Sequence, residues 1–315
     1  MTEANTTRAG FVAIIGAPNA GKSTLVNRMV GTKVSIVTRK VQTTRFPIRG
    51  VAMVGNAQLI LVDTPGIFKP RRRLDRAMVR SAWSGAEDAD VVVHLVDVQA
   101  ELAAADGTGK GADKKSVEDV ESIIQGLKGS GRQAILALNK IDGVKRDRML
   151  AVAKTLFDSG VYSRVFMISA ADGNGVEDLS NYLAGQVPES PWLYPADQSA
   201  DLPVRLLASE ITREKIYLRV HEELPYAATV ETTAFEERKD GSVRIEQLIQ
   251  VERDGQRAII LGKGGQTLKW IGSASREELT ELLDRKVHLF LHVSVRETWA
   301  DERQAYTDMG LDFDV

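Results

Sequence analysis

The chain has 315 residues, 43% hydrophobic and 27% charged, a composition ordinary for a soluble globular protein and a length that calls for two domains rather than one small core. The absence of cysteine excludes disulfides, cysteine-ligated zinc and thiol catalysis. A net charge of −2 points to no class of partner, the polar first ten residues lack a signal-peptide core, and no apolar run is long enough to span a bilayer.

Residues 1–10 read as an N-terminal extension. From 11 to 186, apolar runs at 11–16, 48–54, 58–63, 91–97, 134–139 and 164–169 alternate with helical stretches. Several runs are apolar throughout, as strands covered on both faces are. The expected fold class is therefore α/β with a mainly parallel sheet. Ligands in such sheets sit at the carboxyl ends of the strands, and each motif below falls at one of those ends.

After the first run comes Gly16-Ala17-Pro18-Asn19-Ala20-Gly21-Lys22-Ser23, a G-x-x-x-x-G-K-S phosphate loop, followed by Thr24 and a helical stretch. Its glycines let backbone N–H groups curl around phosphate oxygens, and the new helix adds the positive end of its dipole. Lys22 is expected at the β- and γ-phosphates and the Ser23 hydroxyl at Mg²⁺. Downstream lies Gln42-Thr43-Thr44-Arg45, where a threonine hydroxyl would complete the Mg²⁺ shell when the γ-phosphate is present. Thr44 is favoured, with Thr43 as the alternative.

Asp63-Thr64-Pro65-Gly66 then follows a strand. Asp63 would hold Mg²⁺ through water, and the Gly66 N–H would meet a γ-phosphate. Lys22, Thr44 and Gly66 are thus the expected catalytic set. Lys69-Pro70-Arg71-Arg72-Arg73 reads as a solvated switch loop within reach of RNA, and 100–115 as a flexible surface loop. In Asn139-Lys140-Ile141-Asp142 the carboxylate of Asp142 can accept both N1–H and N2–H₂ of guanine, whereas adenine would leave it unpaired. Asn139 would support N7, the Lys140 stem would cover the base, and Ser169-Ala170 would offer the Ala170 N–H to O6.

These motifs in this order resemble the translation-factor-related GTPases, specifically the group with a hydrophobic residue, Ile67, where Ras-like proteins place a water-orienting glutamine. Hydrolysis is then expected to be slow unless something else, such as the Thr43–Thr44 segment, positions the water. Asn19 resembles relatives that use K⁺ as an activating ion.

Residues 187–203 contain Pro188, Pro191, Pro195 and Pro203, marking a linker. Beyond it, 204–315 reads as helix, strand, strand, helix, Gly262-Lys263-Gly264-Gly265, helix, strand. That is the pattern of an α+β type II KH domain, whose G-x-x-G loop clamps single-stranded nucleic acid. Lys263 supplies charge beside the glycines, Lys269 and Arg276 extend a basic strip, and Ile259, Ile260 and Leu268 are candidates for an apolar groove under the bases. Residues 204–315 hold 16 lysines and arginines against 21 acidic residues, a net −5, which disfavours nonspecific duplex binding and DNA.

A GTPase joined to a type II KH domain resembles the Era family of bacterial ribosome-assembly GTPases. The strings that carry the resemblance are the motifs above with 39–45, Glu223-Leu224-Pro225-Tyr226 and Trp299-Ala300-Asp301-Glu302. The resemblance implies GTP hydrolysis coupled to binding near the 3′ end of 16S rRNA during 30S maturation. It also implies a cytoplasmic protein with peripheral association to the inner membrane. A monomer is expected. The competing readings are a P-loop phosphotransferase acting on a small molecule, which the Asn139–Asp142 string opposes, and a GTP-dependent membrane scaffold.

Overall fold

The computed structural model describes residues 6–220 and 224–315, so Glu223 of the resemblance string lies outside the described residues. The chain divides into two units, one of Met1–Ser35, Thr44–Asp201 and Gly310–Val315, the other of Ile36–Thr43 and Leu202–Met309.

The first unit is a seven-stranded sheet. In chain order its elements are β1 (Arg8–Ile15), α1 (Lys22–Val30), β2 (Ile48–Val54), β3 (Ala57–Asp63), α2 (Arg73–Asp88), β4 (Val91–Asp97), α3 (Val98–Ala105), α4 (Gly111–Ser130), β5 (Ala134–Asn139), α5 (Arg146–Phe157), β6 (Tyr162–Met167), α6 (Val176–Gln186) and β7 (Ala200–Asp201). The strand order is β6-β5-β4-β1-β3-β2-β7. β1 is central and parallel to β3 and β4; at one edge β2 pairs antiparallel with β3, and β7 pairs antiparallel with β2. Alternate residues of the central strands feed two separate cores. Ala13, Ile15, Val92, Val96, Leu136 and Leu138 point to one face, and Val12, Ile14, Val93, Leu95, Ile135 and Ala137 to the other. This two-sided burial is why these strands are apolar at every position.

Three boundaries differ from the sequence reading. β1 starts at Arg8, inside the stretch read as an extension, because residues 8–10 pair with Ala57, Gln58 and Leu59 of β3. The supposed loop 100–115 is largely helix: the Asp97 carboxylate accepts the N–H groups of Gln99 (3.0 Å) and Ala100 (3.3 Å) and starts α3, and only 106–110 separates it from α4. The small, alanine-rich composition that suggested flexibility is also a helix-forming one. Most of the proline-rich linker belongs to the first unit: Gln58 accepts the N–H groups of Leu193 (2.8 Å) and Tyr194 (3.0 Å), and β7 pairs with Arg49 and Gly50 of β2.

The second unit contains α7 (Val204–Arg219), β8 (Ala228–Glu237), β9 (Val243–Val251), α8 (Asp254–Leu261), α9 (Gln266–Leu283) and β10 (Val287–Val295). Its sheet order is β10-β9-β8, with β10 parallel and β8 antiparallel to β9. Ile211, Ile216, Ile245, Ile249, Ile271 and Leu279 fill its core. The segment Ile36–Thr43 is counted with this unit because its backbone is held by α7. Glu214 accepts the Val37 N–H at 2.9 Å, Arg213 donates to the Thr43 carbonyl, and the Tyr217 hydroxyl donates to the Gln42 carbonyl at 3.3 Å. Arg213 is itself buried and ion-paired with Glu210.

Candidate functional site

At the carboxyl end of β1 the chain turns through Gly16, where a Cβ would stand 2.4 Å from the Leu95 carbonyl oxygen. Gly21, at φ 102°, would place a Cβ 2.3 Å from the Asn139 amide. Both positions therefore exclude every side chain, and both are fixed by close approach of neighbouring strands' ends. Asn19 also lies in the left-handed region at φ 64°. Pro18 and Ala20 complete the loop, and α1 starts at Lys22 with Ser23 and Thr24 in its first turn.

Lys22 is buried and donates to the carbonyls of Gly16 (3.1 Å) and Ala17 (2.9 Å), which aims its amine into the curl of the loop. Burial lowers its pKa to about 8 against the raising influence of Asp63 and Asp119. Beside it three oxygens converge. The Ser23 hydroxyl donates to Asp63 Oδ2 at 2.6 Å, lies 3.0 Å from the Thr44 hydroxyl, and Thr44 donates to the same carboxylate oxygen at 3.3 Å. Thr43 is elsewhere, its hydroxyl 2.6 Å from Thr38 Oγ1 and donating to the Lys40 carbonyl at 2.7 Å. The other Asp63 oxygen, Oδ1, is buried with no hydrogen-bond partner, and burial raises the carboxyl above the ordinary range. A buried carboxylate oxygen left bare beside two hydroxyls is a donor set suited to a hard, oxygen-seeking cation such as Mg²⁺.

The Asp63-Thr64-Pro65-Gly66 turn rests on the phosphate loop: Ile67 N–H donates to the Gly16 carbonyl at 3.1 Å, and a Cβ on Gly66 would meet Pro18 at 2.9 Å. The Thr64 hydroxyl is used elsewhere, donating to the Ile14 carbonyl at 2.8 Å. Ile67 is buried in the core.

Three loops meet at Asn139. Its amide donates to the Ala20 carbonyl at 2.8 Å and accepts the Ala170 N–H at 2.9 Å, joining the phosphate loop, the N-K-x-D loop and the Ser169-Ala170 turn. One amide hydrogen remains for a base. The Ala170 N–H, expected for guanine O6, is instead spent on this brace. Lys140, at φ 64°, stretches to an ion pair with Asp97 at 2.5 Å, and Ile141 packs against the core. Asp142 is exposed, and the buried Ser169 hydroxyl holds its carboxyl below the usual range, so it is charged near neutrality. Sequence reasoning missed three supports. Asp97 starts α3 and pairs with Lys140, Gln99 donates to the carbonyls of Lys140 (2.9 Å) and Asp142 (3.2 Å), and Asp119 of α4 accepts the Lys69 N–H. Burial raises the Asp119 carboxyl to about 6. An aspartate at the end of the β4 run was the one visible signal.

In the second unit α8 ends at Gly262 (φ 71°), where a Cβ would stand 2.2 Å from the Thr267 hydroxyl. Gly264 (φ 60°) and Gly265 (φ 76°) have open space around them. The left-handed backbone at Gly264 explains a glycine there. Lys263 and Lys269 are exposed. Ile260 corrects the sequence reading: it is wholly buried among Val251, Ile271 and Ile249, and no base can lie on it. Its neighbour Ile259, 54% exposed, is the apolar side chain at the surface, as the 100° turn between adjacent helical residues requires.

Both halves of the chain have known relatives. Residues 11–140 match a family model described as 50S ribosome-binding GTPase, and residues 223–300 one described as KH domain. The chain is 74% identical over 309 residues to GTPase Era of Caulobacter vibrioides, covering 98% of each, and 58% identical over 308 residues to GTPase Era of Maricaulis maris, with the same coverage. A crystal structure of Era in complex with MgGDPNP and nucleotides 1506–1542 of 16S ribosomal RNA superimposes with a TM-score of 0.86 at 34% identity, covering 96% of this chain and 99% of that one.

Proposed function

The chain belongs to the Era family of GTPases, and we propose from this and from the site that it is a guanine-nucleotide switch gripping unpaired 16S rRNA near its 3′ end during 30S subunit maturation. The observation that carries the reading is the convergence of Ser23, Thr44 and Asp63 beside buried Lys22. The N–H groups of the Gly16–Ser23 loop and the Lys22 amine would take the β- and γ-phosphates. Ser23 and Thr44 would hold Mg²⁺ directly and Asp63 through water; the ion, when bound, supplies positive charge against the phosphate oxygens. Charged Asp142 would accept the two adjacent donors of guanine, and the spare Asn139 hydrogen would reach N7.

Gly66 would donate its N–H to the γ-phosphate. Ile67 is buried and cannot orient the attacking water, which leaves that task to the Thr43–Thr44 segment. Loss of the γ-phosphate removes the acceptor that orders Thr44 and Gly66, so both segments are released after hydrolysis. If GTP strengthens RNA binding, RNA must strengthen GTP binding by the same factor. RNA would lie along Gly262–Gly265 with Lys263 and Lys269 on its phosphates and Ile259 under a base.

The test is crosslinking of the full chain to cellular RNA with GTP or GDP present, comparing wild type with Gly262→Asp. Enrichment of the 16S 3′ region in wild type and its loss in the variant are expected. Equal competition by ATP and GTP for the nucleotide site would refute the guanine reading. Two finer elements rest on family resemblance alone: activation by K⁺ through Asn19, which equal turnover in Na⁺ and K⁺ would exclude, and peripheral inner-membrane association, which absence of flotation with anionic vesicles would exclude. Among the described residues no helix is long and apolar enough to cross a membrane.

A further inference from the structure

Five arginines fall within ten residues where the D-x-x-G loop runs into α2: Arg71, Arg72, Arg73, Arg76 and Arg80. Arg73, Arg76 and Arg80 are spaced three and four apart and so share one helical face, while Leu74, Met78 and Ala82 turn the opposite side into the core. Asp75 is buried, and its carboxylate accepts the N–H groups of Arg71 and Arg72 at 3.0 Å each, holding the start of the helix. The face is covered by the chain's own acidic segment Gly310–Val315. The Arg73 guanidinium lies 4.4 Å from the Phe313 ring centroid, Arg80 is 3.3 Å from the Asp312 carboxylate, Arg76 donates to the Val315 carbonyl at 3.3 Å, and Arg80 to the Asp314 carbonyl at 3.4 Å.

We propose that the arginine face of α2 is a second binding surface for RNA backbone phosphate, and that the Asp312-Phe313-Asp314 segment occupies it as an internal competitor. The proposal rests on the RNA-binding reading above and adds a site to it. Guanidinium forks suit phosphate oxygens two at a time. The tail is a weak match for the Arg76 and Arg80 guanidiniums: their contacts to Asp312 and to the Asp314 and Val315 carbonyls are at the long end of hydrogen-bonding distance, and the Arg80 and Asp312 side chains are 61% and 48% exposed, where solvent screens an ion pair. A polyanion presenting several phosphates displaces such a segment. The net −5 of residues 204–315 gives an RNA reason to use a second basic surface, since the G-x-x-G loop alone offers few cations. The six residues between Gly66 and Arg73 also place this surface directly after the loop that would sense the γ-phosphate.

The experiment measures affinity of the full chain for an RNA with a hairpin beside an unpaired 3′ end, across a salt series. Asp312→Asn with Asp314→Asn should raise affinity at least threefold at low salt and steepen the salt slope by ~0.7–0.9 per phosphate newly engaged. Adding Arg76→Glu and Arg80→Glu to that background should return affinity and slope to the wild-type level or below. Retained GTP binding shows that each variant is folded. Unchanged affinity in the Asp→Asn protein, or a gain that survives reversal of the arginines, overturns the proposal and leaves the G-x-x-G reading intact. Binding of polyglutamate as tight as that of RNA by the Asp→Asn protein overturns RNA as the occupant. No RNA binding by wild type overturns both readings.

Discussion

Asn139 is the residue whose removal the geometry values most clearly. It is buried, and one amide group satisfies the Ala20 carbonyl at 2.8 Å and the Ala170 N–H at 2.9 Å. Asn139→Ala leaves a buried acceptor and a buried donor without partners, each costing about 1–3 kcal/mol. Water entering the open side of the site recovers part of that. A net loss of about 2 kcal/mol, charged against nucleotide binding because all three joined loops line the pocket, corresponds to roughly 30-fold weaker GTP affinity. The loss of the N7 donor adds to it. The assay is equilibrium titration with a fluorescent guanosine triphosphate at fixed Mg²⁺, alongside the thermal midpoint of the nucleotide-free protein. GTP affinity within threefold of wild type, with an unchanged midpoint, would refute the view that this brace assembles the pocket.

Thr44→Ala should lower GTP turnover and weaken its Mg²⁺ dependence at least tenfold, whereas Thr43→Ala, whose hydroxyl is used on Thr38 and Lys40, should leave the Mg²⁺ dependence alone; steady-state phosphate release across a Mg²⁺ series distinguishes them. Ile260→Ala should destabilise the second unit by about 2–4 kcal/mol in denaturant unfolding, and Ile259→Ala by far less while weakening RNA affinity; the reverse ranking would contradict the groove assignment. His94 is buried, accepts or donates one bond at 2.8 Å to the Tyr162 hydroxyl, and is pushed down to about 3, first by burial and then by the Lys22 charge. The unfolded chain takes up this proton below pH 6.5 and the folded chain does not. Stability attributable to His94 therefore falls by ~1.4 kcal/mol for each pH unit below 6.5 until the folded protein protonates as well. The difference in stability between wild type and His94→Phe, measured in urea at pH 7.5, 6 and 5, should shift against wild type as pH falls, and a pH-independent difference would refute the assignment.

How much of this was legible beforehand follows from where the information lies. Gly16 and Gly66 are forced by close approach of backbone, Gly21 by the Asn139 amide and its positive φ, and Lys22 and Ser23 by phosphate chemistry, so the strings stand out in the sequence. The two-sided apolar strands gave the sheet, and the glycine-punctuated second half gave its helix and strand order. What stayed hidden depends on partners distant in sequence. Asp97, Gln99 and Asp119 act only because folding brings them to Lys140, Asp142 and Lys69. Ile259 and Ile260 are chemically identical, and only the phase of α8 against β10 decides which is core. The alanine-rich 100–115 stretch satisfied loop and helix composition alike, and the Asp97 cap decided between them.

The segment Ile36–Thr43 carries a practical consequence. Its backbone is fastened by Glu214, Arg213 and Tyr217, all from α7, and it ends one peptide bond before Thr44. Cutting the gene at the proline-rich stretch near Pro203 would look like a clean dissection, yet it would discard the cradle on which that segment is moulded. An excised N-terminal fragment would report the chemistry of an unmoored threonine, and its kinetics should not stand for those of the intact chain.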